Sequence, residues 1–279
     1  MSGTLFVVGT PIGNLGDFSP RARECLSTVD LVVAEDSRVL GRLCHLVGIT
    51  PREVRSYQGR QHITEVEFLA SLETGDVALV SDAGMPGVSD PGAGFVELAL
   101  RHGGTVRVIP GASALTAALA LWPRMASTAC FYGFLPRRGV ERSQMVANVM
   151  RAPSVGVILE SPRRLHETCA ELAAHDPSRQ VLLLGELTKL HESMHWMTLS
   201  EALEWLAGTE PKGEWVIVVE EAPAVAPSEV EGDRLLHALA ASTLGTKEAA
   251  AIYAQVQAVP NRDAYQLMLS SRSNGTRSS

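Results

Sequence analysis

The sequence predicts an α/β protein with two successive α/β domains, the first built on a mostly parallel sheet, and a small C-terminal helical appendage. Three observations predict it. Through residue 122, short β-branched runs alternate with amphipathic stretches, and a Gly/Pro loop follows each run, which is the signature of strand–loop–helix units. After Trp122-Pro123 the alternation restarts. Beyond an acidic, Ala/Pro-rich stretch, EEAPAVAPSEVEG (220–232), only helical periodicity remains.

Each element has its own local signal. TLFVV (4–8) reads as a strand and GTPIGNLGD as the loop after it. Ser19-Pro20 supplies an N-cap and an N1 proline for a helix through about Leu26. LVVA (31–34) is a buried strand, followed by EDSR and a helix that stops at Gly48. Thr64 and Glu67 form a capping box for a helix to about Glu73. VALVS (77–81) and TVRVIP (105–110) are strands, with helices at 94–102 and 113–121 after them. In the second domain CFYGF (130–134), SVGVILE (154–160), QVLLLGEL (180–187) and GEWVIVVE (213–220) read as strands, with helices near 141–151, 163–174 and 199–207 between them. Short helices at 234–243, 246–257 and 261–269 make the appendage. The expected boundaries are 1–122, 123–222, a linker at 223–233, helices at 234–270 and a disordered tail at 271–279.

Composition narrows the function. A 46% hydrophobic and 20% charged chain is an ordinary globular one. Cys25, Cys44, Cys130 and Cys169 are widely spaced and form no C-x-x-C, so they read as free thiols in a reducing compartment. With no basic leader and no membrane-length apolar run, the expected location is the cytoplasm, away from any membrane. The net charge of −7 argues against a general nucleic-acid binder, yet residues 124–164 carry seven arginines against two glutamates while 165–233 carry three basic against fourteen acidic residues. That arginine-rich stretch suits either a polyanion at one face or scattered solvated helix positions.

Residues 191–195, HESMH, match the His-Glu-x-x-His zinc signature. In zincins the motif lies on one helix, so that both imidazoles reach one metal. Here it follows the strand VLLLGEL and precedes a capping box at Thr198–Glu201, which puts it in extended chain. Residues four apart on a strand stand roughly 13 Å from one another, too far to share zinc. The match is fortuitous, and no metal is expected.

The loops after the strands carry more information. GTPIGN (9–14), SDAGMPGVSDPG (81–92) and PGASAL (110–115) all follow strands of one sheet, where open α/β sheets bind ligands. Gly84, Gly87 and Gly111 allow close backbone approach, and Ser113 begins a helix whose free N–H groups suit a polar ligand edge. Each loop alone reads as a tight turn; three in one sheet favour a small-molecule site. No G-x-G-x-x-G or P-loop lysine accompanies them.

In order and near-spacing, "VGTPIGNLGD", "VVAEDSR", "VALVSDAGMPGVSDPG", "PGASALTAAL", "GFLPRR", "LESPRRL", "ELTKLHE" and "GEWVIVVE" resemble the ribosomal RNA small subunit methyltransferase I family. The resemblance spans about Leu5 to Glu220 and implies the tetrapyrrole-methylase (class III) fold of S-adenosylmethionine-dependent methyltransferases. It also implies methylation of the ribose 2′-hydroxyl of a cytidine in the decoding region of 16S ribosomal RNA, by a homodimer with the methyl donor between its two α/β domains. The chain departs from the family's pattern at Met85 (usually Thr), Gly87 (a bulky aliphatic), Arg163 (His), Gly185 (Arg) and Ser37 (Thr).

On that resemblance, Ile12, Asp82, Ala83, Gly84, Gly87, Ser113, Ala114, Glu160 and Leu187 form the donor site. Asp82 also has a plainer reading, an Asx turn closing its own loop. Methyl transfer to a ribose hydroxyl is a positioning problem aided by a general base, for which Asn14, Glu35, Asp36 and Lys189 are candidates. Asn14 would orient the hydroxyl, and Lys189 acts as a base only with a depressed pKa, being otherwise a phosphate contact. His191 titrates in a suitable range but reads more simply as a surface histidine. Arg38, Arg42, Arg137, Arg138, Arg163 and Arg164 are the candidate RNA-phosphate contacts. Two rival readings are a porphyrinoid C-methyltransferase of the same fold and a ribosome-assembly factor without chemistry.

Overall fold

The computed structural model describes residues 3–59, 62–223, 229–257 and 259–275. The chain forms two compact units, Met1–Glu221 and Ala222–Ser279.

The first unit opens with β1 (Thr4–Val8), α1 (Pro20–Thr28), β2 (Leu31–Ala34), α2 (Ser37–Val47), β3 (Val54–Ser56), α3 (Glu65–Thr74), β4 (Val77–Val80), α4 (Ala93–Arg101), β5 (Thr105–Ile109) and α5 (Ala114–Leu121). The strands form one sheet in the order β3-β2-β4-β1-β5, every pair parallel. β2 and β4 are buried along their whole length, as strands covered on both faces must be. Ala22, Leu26 and Leu40 of α1 and α2 cover one face, and Phe68, Leu72 and Ala99 of α3 and α4 cover the other. β3 has no counterpart in the sequence reading. A three-residue edge strand, VRS, carries one apolar side chain and therefore no periodicity to detect. The capping chemistry is as expected: Ser19 caps α1 with Pro20 at its first position, Gly48 ends α2 in the left-handed region, and Thr64 and Glu67 close a capping box on α3.

This strand order positions the site. β4, β1 and β5 are neighbours, so the loops leaving their carboxyl ends emerge side by side, with the loop after β2 beside that of β4.

The chain continues as β6 (Ala129–Phe134), α6 (Val140–Arg151), β7 (Val155–Glu160), α7 (Pro162–Ala173), β8 (Gln180–Gly185), β9 (Ser193–Thr198), α8 (Leu199–Ala207) and β10 (Trp215–Val219). These strands form a second sheet, β6-β7-β10-β8-β9, in which β6 and β7 run parallel and the other pairs antiparallel. Helices α6, α7 and α8 bury one face of it around Leu183 and Ile217. The opposite face, with Val157, Leu182 and Val218, packs against Ala118 of α5 and Trp122. Helix α5 thus belongs to the first sheet by sequence and to the second by packing, and it holds the two together.

β9 takes up the SMHWM part of the HESMHWM segment expected in extended chain, and residues 191–192 belong to the turn before it. His195 pairs with Leu183 across the sheet and packs on Trp205, ring centroids 4.3 Å apart, while His191 precedes the strand. The zinc signature therefore lies on strand and loop, and the shared helix face that a zincin needs is missing from this segment.

The second unit contains α9 (Glu229–Ala240), α10 (Thr246–Gln257) and α11 (Asn261–Gly275) around Leu239, Tyr253 and Met268. Two boundaries differ from expectation. α9 begins at Glu229, inside the expected linker. α11 runs on to Gly275, into the expected tail, since Ser and Arg at its end oppose helix only weakly. Residues 224–228 of the linker and 276–279 of the tail lie outside the described residues. Among the described residues no helix is long and apolar enough to cross a membrane.

Leu183 is fully buried at the centre of the second sheet. Leu183→Ala should cost about 2–5 kcal/mol of unfolding free energy, read from urea denaturation; a loss below about 1 kcal/mol would mean that this core can collapse around the change.

Candidate functional site

A cleft of about 520 Å³ opens where the loops of the first sheet face the second. Ile12, Asp82, Ala83, Gly84, Ser113 and Ala114 line it from one side, and Glu160, Leu187 and Trp215 from the other. Eight of the nine residues expected to form a donor site meet here. The exception is Gly87, which with φ +82° lines a separate shallow depression with Pro86, Val96 and Leu100. Its place in the pattern comes from the turn it makes rather than from contact with the cleft.

The floor is stitched by carboxylates. The Asp82 N–H donates to Glu35 Oε2 (3.2 Å) and the Asp36 N–H donates to Asp82 Oδ1 (3.1 Å), so the loops after β2 and β4 hold one another through acids 46–47 residues apart in sequence. Asp82 therefore bonds a neighbouring loop, which replaces its reading as an Asx turn within its own. Gln58 adds a bond from Nε2 to Glu35 Oε1 (3.0 Å). Burial, followed by the charges of neighbouring acids, pushes the Glu35 and Asp82 carboxyls above their ordinary values, and their hydrogen bonds only partly offset it.

Asp90 shapes the rest of the 81–92 loop. It accepts from the Gly87 N–H (2.9 Å), the Gly92 N–H (2.8 Å) and the Tyr57 hydroxyl (3.2 Å). Backbone conformations unfavourable for side chains cluster on the cleft's rims: Ser89 (φ 68°), Glu186 (φ 51°) and Thr188 (φ 67°). Such strain persists where surrounding structure fixes it, and it gathers at functional sites. Gly9 and Gly111 face each other so closely that a Cβ on Gly111 would sit 2.8 Å from the Gly9 Cα. Gly84, at φ +77°, turns its loop beneath Ile12. Ser113 starts α5 without its side chain capping that helix, and the residue lines the cleft.

The catalytic candidates separate. Glu35 lines the cleft. Asp36 caps α2 and is held to about 2 by hydrogen bonds from the Arg38 side chain and backbone N–H, which makes it a weak base. Asn14 accepts from the Gly16 N–H (2.9 Å), ordering a short 3-10 turn at Leu15–Asp17. Lys189 donates to Glu186 Oε1 (2.8 Å) and Glu214 Oε2 (2.9 Å). Burial alone would lower its pKa, but these bonds and charges prevail and raise it. These partners favour the charged lysine and oppose the depressed pKa that a role as base requires.

Glu160 lines the cleft from the end of β7. Its carboxylate is fully buried, accepting from Thr168 Oγ1 (2.7 Å) and the Ser161 N–H (2.8 Å). It braces the end of β7 and presents no free carboxylate to a ligand. Arg164, expected on the surface, turns inward and donates to the Leu135 and Pro136 carbonyls (2.9 and 3.1 Å). Arg42, Arg137, Arg138 and Arg163 are exposed, while Arg38 is exposed but paired with Asp36.

Sequence reasoning missed Arg142, which is buried and donates to Glu171 Oε1, Thr168 Oγ1 and the Pro136 carbonyl. With Arg164 it pins the loop that carries Arg137 and Arg138. It also missed Phe131 and Phe134, which line the cleft from β6. Of the departures from the family pattern, Gly185 has a local reason: a Cβ there would lie 2.8 Å from the Trp215 ring, and Trp215 lines the cleft. Nothing in the structure explains the arginine at 163.

Comparisons with known proteins bear on what this cleft is. Residues 4–203 match the tetrapyrrole (corrin/porphyrin) methylases. A Synechocystis protein named ribosomal RNA small subunit methyltransferase I is 36% identical over 280 residues, covering 98% of this chain and 100% of that protein. The protein of that name from Pseudomonas aeruginosa is 36% identical, covering 96% of this chain and 97% of its own. In solved structures the fold resembles a cobalt precorrin-4 methyltransferase (17% identity, TM-score 0.57, covering 77% of this chain and 94% of that one). It also resembles the uroporphyrin-III C-methyltransferase of Thermus thermophilus complexed with S-adenosylhomocysteine (21% identity, TM-score 0.52, covering 77% and 92%).

A carboxyl with a raised folded pKa favours the fold only at low pH, and that contribution is lost as pH rises through the raised value. The charged Glu35–Asp82 floor is therefore a cost at neutral pH. Asp82→Asn should raise the melting temperature at neutral pH and raise it less near about pH 4, where the acids are largely protonated in either state. A lower melting temperature at neutral pH would contradict this account of the floor.

Proposed function

The chain belongs to the ribosomal RNA small subunit methyltransferase I family of tetrapyrrole methylases, and on that premise we propose that it methylates a ribose 2′-oxygen of 16S ribosomal RNA using S-adenosylmethionine. The target in this reading is a cytidine of the decoding region, presented within the small ribosomal subunit. The observation that carries it is the full-length likeness to proteins of that name, 98% of this chain against 100% of the Synechocystis relative. A porphyrinoid methylase shares the fold, but the structures of that class resemble this chain at only 17–21% identity.

The cleft suits the donor. S-adenosylmethionine carries an electrophilic methyl on a positively charged sulfur. A cation is welcome above Glu35 and Asp82, whose crowding already opposes their ionisation. Ser113 Oγ and the backbone of Ala83 and Gly84 offer polar partners, and Ile12, Leu115 and Leu187 an apolar wall. Positioning does most of the work in such a transfer, and rigid backbone supplies it here: the Gly9–Gly111 contact and the Asp90 knot leave the loops little freedom.

Glu35 is the proton acceptor in this reading. It lines the cleft, and its raised pKa makes it a better base than Asp36 or a charged Lys189. Lys189 instead fixes the Glu186–Thr188 turn through its two carboxylates. Arg137, Arg138, Arg163 and Arg42 are the phosphate contacts, with Arg38 more weakly placed because Asp36 competes for it. The protein acts in the cytoplasm as a homodimer, and Val108 on edge strand β5 and Leu100 on α4, both more than half exposed, are apolar surface that a second copy would cover.

The test is transfer of labelled methyl to small ribosomal subunits from a strain lacking this protein. Label should appear in a ribose of the decoding region, and Glu35→Gln should lower kcat about 10²–10⁴-fold. The wild-type rate should rise with pH through the raised Glu35 pKa, because the base must be deprotonated. Tight donor binding without transfer to subunits would overturn the substrate assignment, and an unimpaired Glu35→Gln would remove Glu35 as the base.

A further inference from the structure

We propose that Phe134 is the platform on which the base of the target nucleotide stacks, so that β6 reads the substrate while the first sheet holds the donor. The inference rests on the RNA-methylation reading above and names the residue that meets the RNA base.

It starts from a fault in a strand. Along β6 the register runs Phe131 to Val157, then skips, so that Gly133 meets Ile158 and Phe134 meets Leu159. Residues three apart on a regular strand face opposite sides of the sheet. The extra residue of a bulge cancels that alternation and re-aims the side chains beyond it. Val157 and Leu159 share a face, so Phe131 and Phe134 share it too, and both line the cleft. Without the bulge, Phe134 would point to the other side.

The bulge is held from both directions. Gly133 has φ +60°, and the Ser89 Oγ lies 2.9 Å from where its Cβ would stand. Ser89 is itself in the left-handed region and belongs to the Asp90-knotted loop. Immediately after Phe134, Arg142 and Arg164 grip the carbonyls of Leu135 and Pro136. A left-handed glycine, the buried Arg142 and the half-buried Arg164 thus flank one ring.

That ring is left uncovered. Phe131 is partly buried against the second sheet's core, whereas Phe134 is 59% exposed at the cleft's edge. Among the described residues Phe134 and Trp196 are the exposed aromatic side chains, and Trp196 carries Arg124 at 6.0 Å from its ring. Three and four residues beyond Phe134 stand the exposed Arg137 and Arg138. An aromatic face beside cations is the arrangement that binds an unstacked nucleotide, with stacking for the base and charge for the phosphates. A base must leave its neighbours for its ribose to enter a cleft, and a stacking surface offsets the loss. The donor's own adenine is the alternative occupant, but a ligand gripped by the first sheet's loops would be enclosed, and Phe134 lies open at the rim.

Steady-state transfer to small subunits and calorimetric donor binding separate the possibilities. Phe134→Ala should raise the KM for subunits about 5- to 100-fold, the range expected for one lost base–aromatic stack, with donor affinity within about twofold of wild type. Phe134→Leu, which keeps apolar bulk without a π-face, should stay impaired, and Phe134→Tyr should restore function. An unchanged KM in Phe134→Ala, or full function in Phe134→Leu, would overturn the proposal. Equal losses of donor affinity would overturn it by giving the ring to the donor. Absence of transfer by the wild-type protein would instead bring down the RNA reading, and this inference with it.

Discussion

Two carboxylates that each accept a backbone N–H from a neighbouring loop, Glu35 from Asp82 and Asp82 from Asp36, fix the geometry on which the site depends. Parallel strands deliver their loops to one edge, but sheet pairing stops at the last strand residue and leaves the loops beyond it unspecified. Side-chain acceptors take over there, satisfying N–H groups that would otherwise need water. The arrangement crowds negative charge in a partly buried place, which raises both pKa values. An arrangement that disfavours its own charged state is suited to a cationic ligand.

The second half of the unit answers with positive charge organised in the reverse way. Arg142 and Arg164 are consumed internally, each holding a carbonyl of the 135–136 turn. Their work leaves Arg137 and Arg138 displayed outward on a loop of fixed shape. Two of the seven arginines of that stretch thus hold the turn that presents two others. The cleft thus has an acidic floor while exposed arginines stand on the loop after β6, although the chain as a whole carries a net charge of −7.

The sequence made the architecture legible because strand and helix punctuation is local. Ser19-Pro20, Gly48 and the boxes at Thr64 and Thr198 sit at the boundaries they mark. β3 was invisible because three residues cannot show a period, and the reach of α9 and α11 was hidden because their ends use residues equally at home in loops. At the site, eight of the nine residues that the family resemblance marked as a donor site line the cleft, and most of those on the first sheet's loops are small because close approach demands it. What the motifs could not give was direction. Arg163 and Arg164 are adjacent and chemically identical, yet one faces solvent and the other a carbonyl. Glu160 and Glu35 both line the cleft, yet only burial and partners decide which is locked by Thr168. Phe134 was passed over because its orientation depends on a bulge in β6 that strand periodicity does not show.

If the acidic floor receives a cationic methyl donor, calorimetric binding of S-adenosylmethionine must depend on pH. One donor should bind per chain, with affinity rising as pH climbs through the raised pKa values of Glu35 and Asp82, because only the ionised floor attracts the sulfonium. Affinity that is flat across that range, or absent at every pH, would contradict the role given to the floor.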